Sequence, residues 1–85
     1  MFVVRILRDA EKDLAKIPSS ALKKIFPAIK ALAVNPRPHG CKKLKGMDEY
    51  LWRIRIGDYR VVYSIDDEIK LVEVRKAGHR KDIYE

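Results

Sequence analysis

The chain has 85 residues, 47% of them apolar, which makes it one domain (1–85) near the small end of what can bury a self-sufficient core and excludes a disordered polypeptide. Nineteen lysines and arginines against twelve aspartates and glutamates leave a net charge of +7, so acidic partners such as nucleic acid are attracted, with binding that weakens steeply in salt. A single cysteine, Cys41, excludes an intrachain disulfide framework and suits a reducing compartment. His39 and Cys41 find no further ligands at finger or helical spacing, so neither a metal nor another cofactor is expected.

Residues 2–7 (Phe-Val-Val-Arg-Ile-Leu) read as a strand. The run is too short and too charged for a signal segment or a membrane span, and a cytoplasmic protein without membrane contact is expected. Asp9 is the expected N-cap of a helix whose Ala10, Leu14 and Ile17 recur on one side, and Pro18 ends it. Ser19 or Ser20 then caps a second helix with an apolar stripe of Leu22, Ile25, Phe26, Ile29, Leu32 and Ala33, while Lys23, Lys24 and Lys30 take the other face. Pro27 removes the hydrogen bond to the Lys23 carbonyl, which predicts a kink or a break into two shorter helices. Asn35-Pro36-Arg37-Pro38 stops the helix, and the segment through Gly46 reads as an exposed basic connector holding Lys42, Lys43 and Lys45.

The run from Trp52 to Tyr63 reads as two strands joined at Gly57-Asp58. Glycine at the first central position suits a two-residue type II′ turn, which pairs Ile56 with Tyr59, Arg55 with Arg60, Ile54 with Val61 and Arg53 with Val62. Period-two alternation then gathers Trp52, Ile54, Ile56, Tyr59, Val61 and Tyr63 on a core face. Arg55 and Arg60 are left side by side on the other face, where like charges cost stability, and such a pair calls for an anion between them; phosphate is the natural candidate.

Asp66-Asp67-Glu68 reads as a turn into a third strand, 69–76. Pairing Tyr63 with Val72 and Val61 with Val74 keeps the inner face apolar and sets Arg75 beside Arg60 and Glu73 beside Val62. The open face then collects Arg53, Arg55, Arg60 and Arg75 around one carboxylate, a concentration suited to a nucleic-acid backbone. In the tail, Gly78 is expected to let the chain turn so that His79, Arg80 and Tyr84 return toward the arginine face.

With these segments in place, the chain resembles the RelE/ParE superfamily, the toxins of bacterial and archaeal type II toxin–antitoxin pairs. The likeness covers almost the whole length: an N-terminal strand, a helical hairpin, the Leu44-Lys45-Gly46 step, Trp52-Arg53-Ile54-Arg55-Ile56, Gly57-Asp58-Tyr59-Arg60-Val61-Val62-Tyr63 and Gly78-His79-Arg80-Lys81-Asp82-Ile83-Tyr84 follow in the family's order. It implies an α+β fold in which an N-terminal strand and a helical hairpin precede a mainly antiparallel twisted sheet with a basic open face.

RelE-type members are ribosome-dependent endoribonucleases that cut messenger RNA in the decoding site, and ParE-type members share the fold but poison DNA gyrase. The RelE resemblance assigns the basic strand pair to Arg53 and Arg55, the arginine of the next strand to Arg60, and the tail arginine and tyrosine to Arg80 and Tyr84. It implies attack of a ribose 2′-hydroxyl on its own 3′-phosphate without a metal. Guanidinium forks at Arg60 and Arg80 suit the charge that develops on the phosphoryl oxygens.

Arg53 and Arg55 stand where some members carry lysine, and a guanidinium is a poor proton acceptor, so they orient the phosphate instead. Tyr84 is the family's proton donor or stacking group; His79 is our own candidate for a proton carrier, from its ordinary pKa near 6.5. Lys42, Lys43, Lys45 and Arg75 are expected to meet RNA phosphates. The implied partners are the ribosome, messenger RNA and a cognate antitoxin, whose acidic or amphipathic segment covers the basic face or displaces the tail that carries Arg80 and Tyr84, in a hetero-oligomer. Two other readings remain open: a gyrase inhibitor on the same scaffold, and a non-catalytic basic RNA-binding module.

Overall fold

The structure is a computed structural model that describes residues 1–44 and 51–79. Strand β1 (Val3–Ile6) is followed by helices α1 (Arg8–Ala15) and α2 (Ser19–Ala31), then by β2 (Lys42–Lys43), β3 (Leu51–Ile56), β4 (Tyr59–Asp66) and β5 (Leu71–His79). The strands form a five-stranded sheet in the order β1-β5-β4-β3-β2, with β1 parallel to β5 and the other neighbours antiparallel. Ala10, Leu14, Ile17, Ile25, Ile29 and Leu32 from the helical segment share a core with Ile54, Val61, Tyr63, Ile65, Val72, Val74 and Ala77 of the sheet. Burial of this one sheet face against the helices is the main stabilising term of the fold.

Both helix starts differ from expectation. Leu7, not Asp9, is the N-cap of α1. The Leu7 amide still donates to the Val74 carbonyl at 2.9 Å while its own carbonyl already takes the Glu11 amide at 2.9 Å, so parallel pairing with β5 sets where the helix begins. Asp9 is left within the first turn, where its charge suits the helix dipole. Pro18, rather than either serine, precedes α2, and its carbonyl accepts from Ala21 at 3.0 Å and Leu22 at 3.1 Å.

Helix α2 also runs unbroken through Pro27. Pro27 and Lys23 lie on the exposed side, where water can serve the carbonyl that proline leaves without a donor. Phe26, placed in the apolar stripe by its spacing, is 45% exposed, and burial falls on Ile25, Ile29 and Leu32 instead.

The first hairpin forms with the expected register, from Ile56 opposite Tyr59 back through Arg55–Arg60, Ile54–Val61 and Arg53–Val62 to Leu51–Ser64. Gly57 has φ +61°, as the first central position of a type II′ turn requires. The segment read as an exposed basic connector supplies β2, an edge strand that pairs Lys42 with Arg53 and Lys43 with Trp52, both lysines being exposed.

The second hairpin has a different register from the one expected. Tyr63 pairs with Val74 and Ile65 with Val72, and a bulge follows, after which Val62 faces Lys76, Val61 faces Ala77 and Arg60 faces Gly78. Strand β4 continues to Asp66, whose Oδ1 accepts the Glu68 amide at 3.0 Å and the Ile69 amide at 3.2 Å, and Lys70 closes the loop at φ +59°. The longer strand brings Ile65 into the core.

Arg75 is the extra residue of the bulge, and its insertion reverses the alternation. Val72 and Val74 point inward before it and Ala77 after it, while Arg75 and Lys76 are both exposed. An unbroken ladder would have driven Lys76 into the core.

Candidate functional site

The face of the sheet turned away from the helices carries two adjacent cationic rows. Nearest the Gly57 turn, Arg55 of β3 stands opposite Arg60 of β4, and Gly78 of β5 lies on the other side of Arg60. The pair next to a two-residue turn is a hydrogen-bonded one, which makes Arg55–Arg60 the non-hydrogen-bonded kind, with Cα atoms typically about 4.5 Å apart and side chains close together. Gly78 has no side chain to occupy the space beside Arg60. The next row along the strands holds Lys42, Arg53, Val62 and Lys76.

Accessibility divides these groups. Arg55 is exposed and Arg60 half-buried, but Arg53 is only 5% exposed and Val62 opposite it 2%, so the surface is closed at that point. Lys42 and Lys76 are exposed. Arg53 is therefore closed off from the surface, and Arg55, Lys42 and Lys76 are the exposed cations of this face, with Arg60 half-buried beside Arg55.

Several expectations change with the register. Arg75 does not sit beside Arg60: its Nε donates to Ser64 Oγ at 3.2 Å, and its guanidinium lies 3.6 Å from Glu73 Oε1. Lys43 alternates to the opposite side from Lys42 and pairs with Trp52. Gly78 does not turn the chain, since β5 continues through it to His79.

His79 pairs with Tyr59, and the two rings meet edge-to-face with centroids 5.5 Å apart and planes at 81°. Tyr59 packs against the core, so this pair lies on the side opposite Arg55 and Arg60, and His79 is not at the arginine face. Lys45, Arg80 and Tyr84 lie outside the described residues.

Lys76 reaches this face only through the bulge at Arg75. Its signal was two consecutive charged residues, Arg75-Lys76, interrupting the inward series Val72, Val74, Ala77; that pattern marks a bulge.

The far end of the sheet is organised differently. A recess of about 670 Å³ there is lined by Arg37, Lys43, Trp52, Asp67, Glu73 and Arg75 among others. Arg37 lies over the Trp52 ring, 5.1 Å from its centroid, and donates from both terminal nitrogens to Asp67 at 3.0 and 2.7 Å. That hydrogen-bonded pairing holds the Asp67 carboxyl below its ordinary pKa and raises that of Arg37. The buried Tyr63 hydroxyl donates to the Pro36 carbonyl at 2.7 Å, and burial pushes its pKa up. Carboxylates compensate the cations of this recess, so it is a poor phosphate site.

Among the described residues, no group of three or more His, Cys, Asp or Glu side chains is arranged to hold a metal ion. No helix among them is long and apolar enough to cross a membrane.

A small α+β domain with a short helical hairpin on one side of its sheet and an arginine-rich surface on the other is the class of protein these features define. The model of the ParE toxins of type II toxin–antitoxin systems, parDE, matches residues 4–84, and the chain belongs to this RelE/ParE superfamily of toxins. Among named relatives, it is 38% identical to the RelE1 protein of Methanocaldococcus jannaschii, across 98% of this chain and 94% of that one. It is 34% identical to the toxin RelG of Mycobacterium tuberculosis, across 98% and 95%. Among solved structures, the archaeal RelE–RelB complex from Pyrococcus horikoshii superposes with a TM-score of 0.80 at 28% identity, covering 96% of this chain and 98% of that one.

Proposed function

We propose that this toxin is a ribosome-dependent endoribonuclease that cuts messenger RNA and so blocks translation. The observation that carries the reading is the facing pair Arg55–Arg60, with the exposed Lys42 and Lys76 in the next row of the same face. Register sets the two arginines directly opposite each other, and a phosphodiester bound at this pair can take charge-assisted hydrogen bonds from both.

In the proposed reaction the ribose 2′-oxygen forms a bond to the adjacent phosphorus while the bond from phosphorus to the 5′-oxygen breaks. The 2′-hydroxyl proton leaves to a base, and the departing 5′-oxygen takes one up. The products are a 2′,3′-cyclic phosphate, or the 3′-phosphate after hydrolysis, and a free 5′-hydroxyl. Negative charge grows on the phosphoryl oxygens in the transition state, and Arg60 is the group suited to hold it because a guanidinium stays ionised and binds two oxygens at once. Arg55 orients the phosphate, and Lys42 and Lys76 take flanking phosphates as positioning contacts without sequence information. Family resemblance gives Arg80 a share of the charge stabilisation and Tyr84 the proton to the leaving oxygen.

The toxin is held inactive by a cognate antitoxin, a reading supported by the Pyrococcus horikoshii relative, whose structure is a RelE–RelB complex. With a net charge of +7, this chain favours an acidic segment laid across the arginine face. Primer extension on messages from cells expressing the protein, beside Arg60→Ala, tests the activity: discrete new ends within translated regions are expected, and intact messages would remove the reading.

A second reading is favoured by the family model itself, which is that of ParE toxins. In that case the protein inhibits DNA gyrase without cleaving RNA, and expression traps gyrase–DNA cleavage complexes while translation proceeds normally.

A further inference from the structure

Asp13 stands in the last turn of α1, half-buried, at the end of the helix where the dipole disfavours a carboxylate. A charge kept in that position needs a partner elsewhere, and it has one: Asp13 Oδ2 accepts the backbone amide of Ala77 in β5 at 3.1 Å. Strand β1 stops at Ile6, opposite Val74, and the Leu7 amide to the Val74 carbonyl follows at 2.9 Å. Beyond Val74 no strand among the described residues lies beside that edge of β5. The bulge at Arg75 reverses the strand's alternation, so the Ala77 amide turns to the bare edge while Ala77 itself is 5% exposed. Asp13 supplies the acceptor that the sheet lacks there. The next residue is Gly78, opposite Arg60, and Arg80 follows two positions later in the chain.

We propose that Asp13 is a positioning residue for the cleavage site: by holding the Ala77 amide it fixes the course of β5 as the strand passes Arg60. The functional half of this proposal rests on the ribonuclease reading; the structural half does not. Misplacement of reacting groups by about 1 Å costs up to roughly a hundredfold in rate, so a loosened strand end is expected to slow cleavage without weakening ribosome binding.

Asp13→Ala removes the acceptor, and Asp13→Asn keeps an acceptor oxygen while discarding the charge. For Asp13→Ala, hydrogen exchange at the Ala77 amide is expected to accelerate at least tenfold, and the Gly78 amide and Arg60 Nε–H resonances to move. Cleavage per bound ribosome is expected to fall about tenfold with ribosome affinity unchanged. Asp13→Asn restores all three. If Asp13→Ala does not fold, Asp13→Ser, whose hydroxyl is too short to reach, is measured in its place.

Unmoved Gly78 and Arg60 resonances, an asparagine variant that behaves like alanine, or full cleavage despite a deprotected Ala77 amide would each overturn the proposal. Absence of cleavage by the wild-type protein would instead reject the ribonuclease reading, and the exchange and resonance measurements would still decide whether Asp13 positions the strand.

Discussion

At the Gly57 end of the sheet Arg55 faces Arg60, and among the described residues no carboxylate lies within ion-pair distance of Arg55. At the opposite end, around the loop 67–70, Arg37 forks onto Asp67 and Arg75 lies beside Glu73. Both ends belong to the same strands, so the contrast is not one of fold. The Arg37–Asp67 and Arg75–Glu73 pairs tie the far end together, whereas the exposed Arg55 is left available to an anionic ligand. The hairpin end is therefore where function is expected, and the far end is where stability is maintained.

The strongest way to break this comparison is Arg60→Ala, which should lower message cleavage on translating ribosomes by about two to three orders of magnitude, the range seen when one charge-stabilising donor is removed. Melting temperature should change little, so an equal loss of both would mean that Arg60 serves the fold. Arg55→Thr separates the two properties further. Cleavage should fall about tenfold while stability rises by a few tenths of a kcal/mol as the like-charge pair is relieved, a trade visible in parallel cleavage and denaturation series.

Changes at the far end should do the reverse. Tyr63→Phe is expected to cost about 1–2 kcal/mol at neutral pH, because the buried Pro36 carbonyl loses its donor, with cleavage per folded molecule unchanged. It should also alter the alkaline limb of stability. The Tyr63 pKa is higher folded than unfolded, so its contribution is fully present below the ordinary tyrosine value near 10 and is lost as pH rises above it. The variant should lose that part of the slope in a denaturation series carried from about pH 10 upward.

The Arg37–Asp67 pair is exposed, and Asp67→Asn should produce a smaller change at neutral pH. Its sign is opposite in pH: the folded Asp67 pKa lies below the unfolded one, so the pair contributes above roughly pH 4 and its contribution is lost as pH falls further. The variant and wild type should therefore converge in acid. His79→Gln is the smallest expected effect, with the pH–rate profile of cleavage between about pH 6 and 7.5 unchanged, because the ring meets Tyr59 edge-to-face on the other side of the sheet. A flattened profile would return His79 to the chemistry.

The amino-acid sequence by itself determined the first hairpin and most of the core. Gly57-Asp58 admits one tight turn, a two-residue turn admits one register, and that register brings Arg55 to Arg60 while Ile54, Val61 and Tyr63 turn inward; these are short-range constraints readable from neighbours in the chain. Only the tertiary structure decided the second hairpin, the bulge and the helix starts. Alternation alone fits several offsets of β5, and the offset was chosen by how much apolar surface Ile65 could bury and by the need to keep Lys76 out of the core. Asp13 reaching Ala77 across 64 positions and Leu7 giving up its amide to Val74 are contacts between segments far apart in the chain, and no local pattern announces them. Turn chemistry acts over four residues, whereas the choice among sheet registers is settled by the packing of a whole layer.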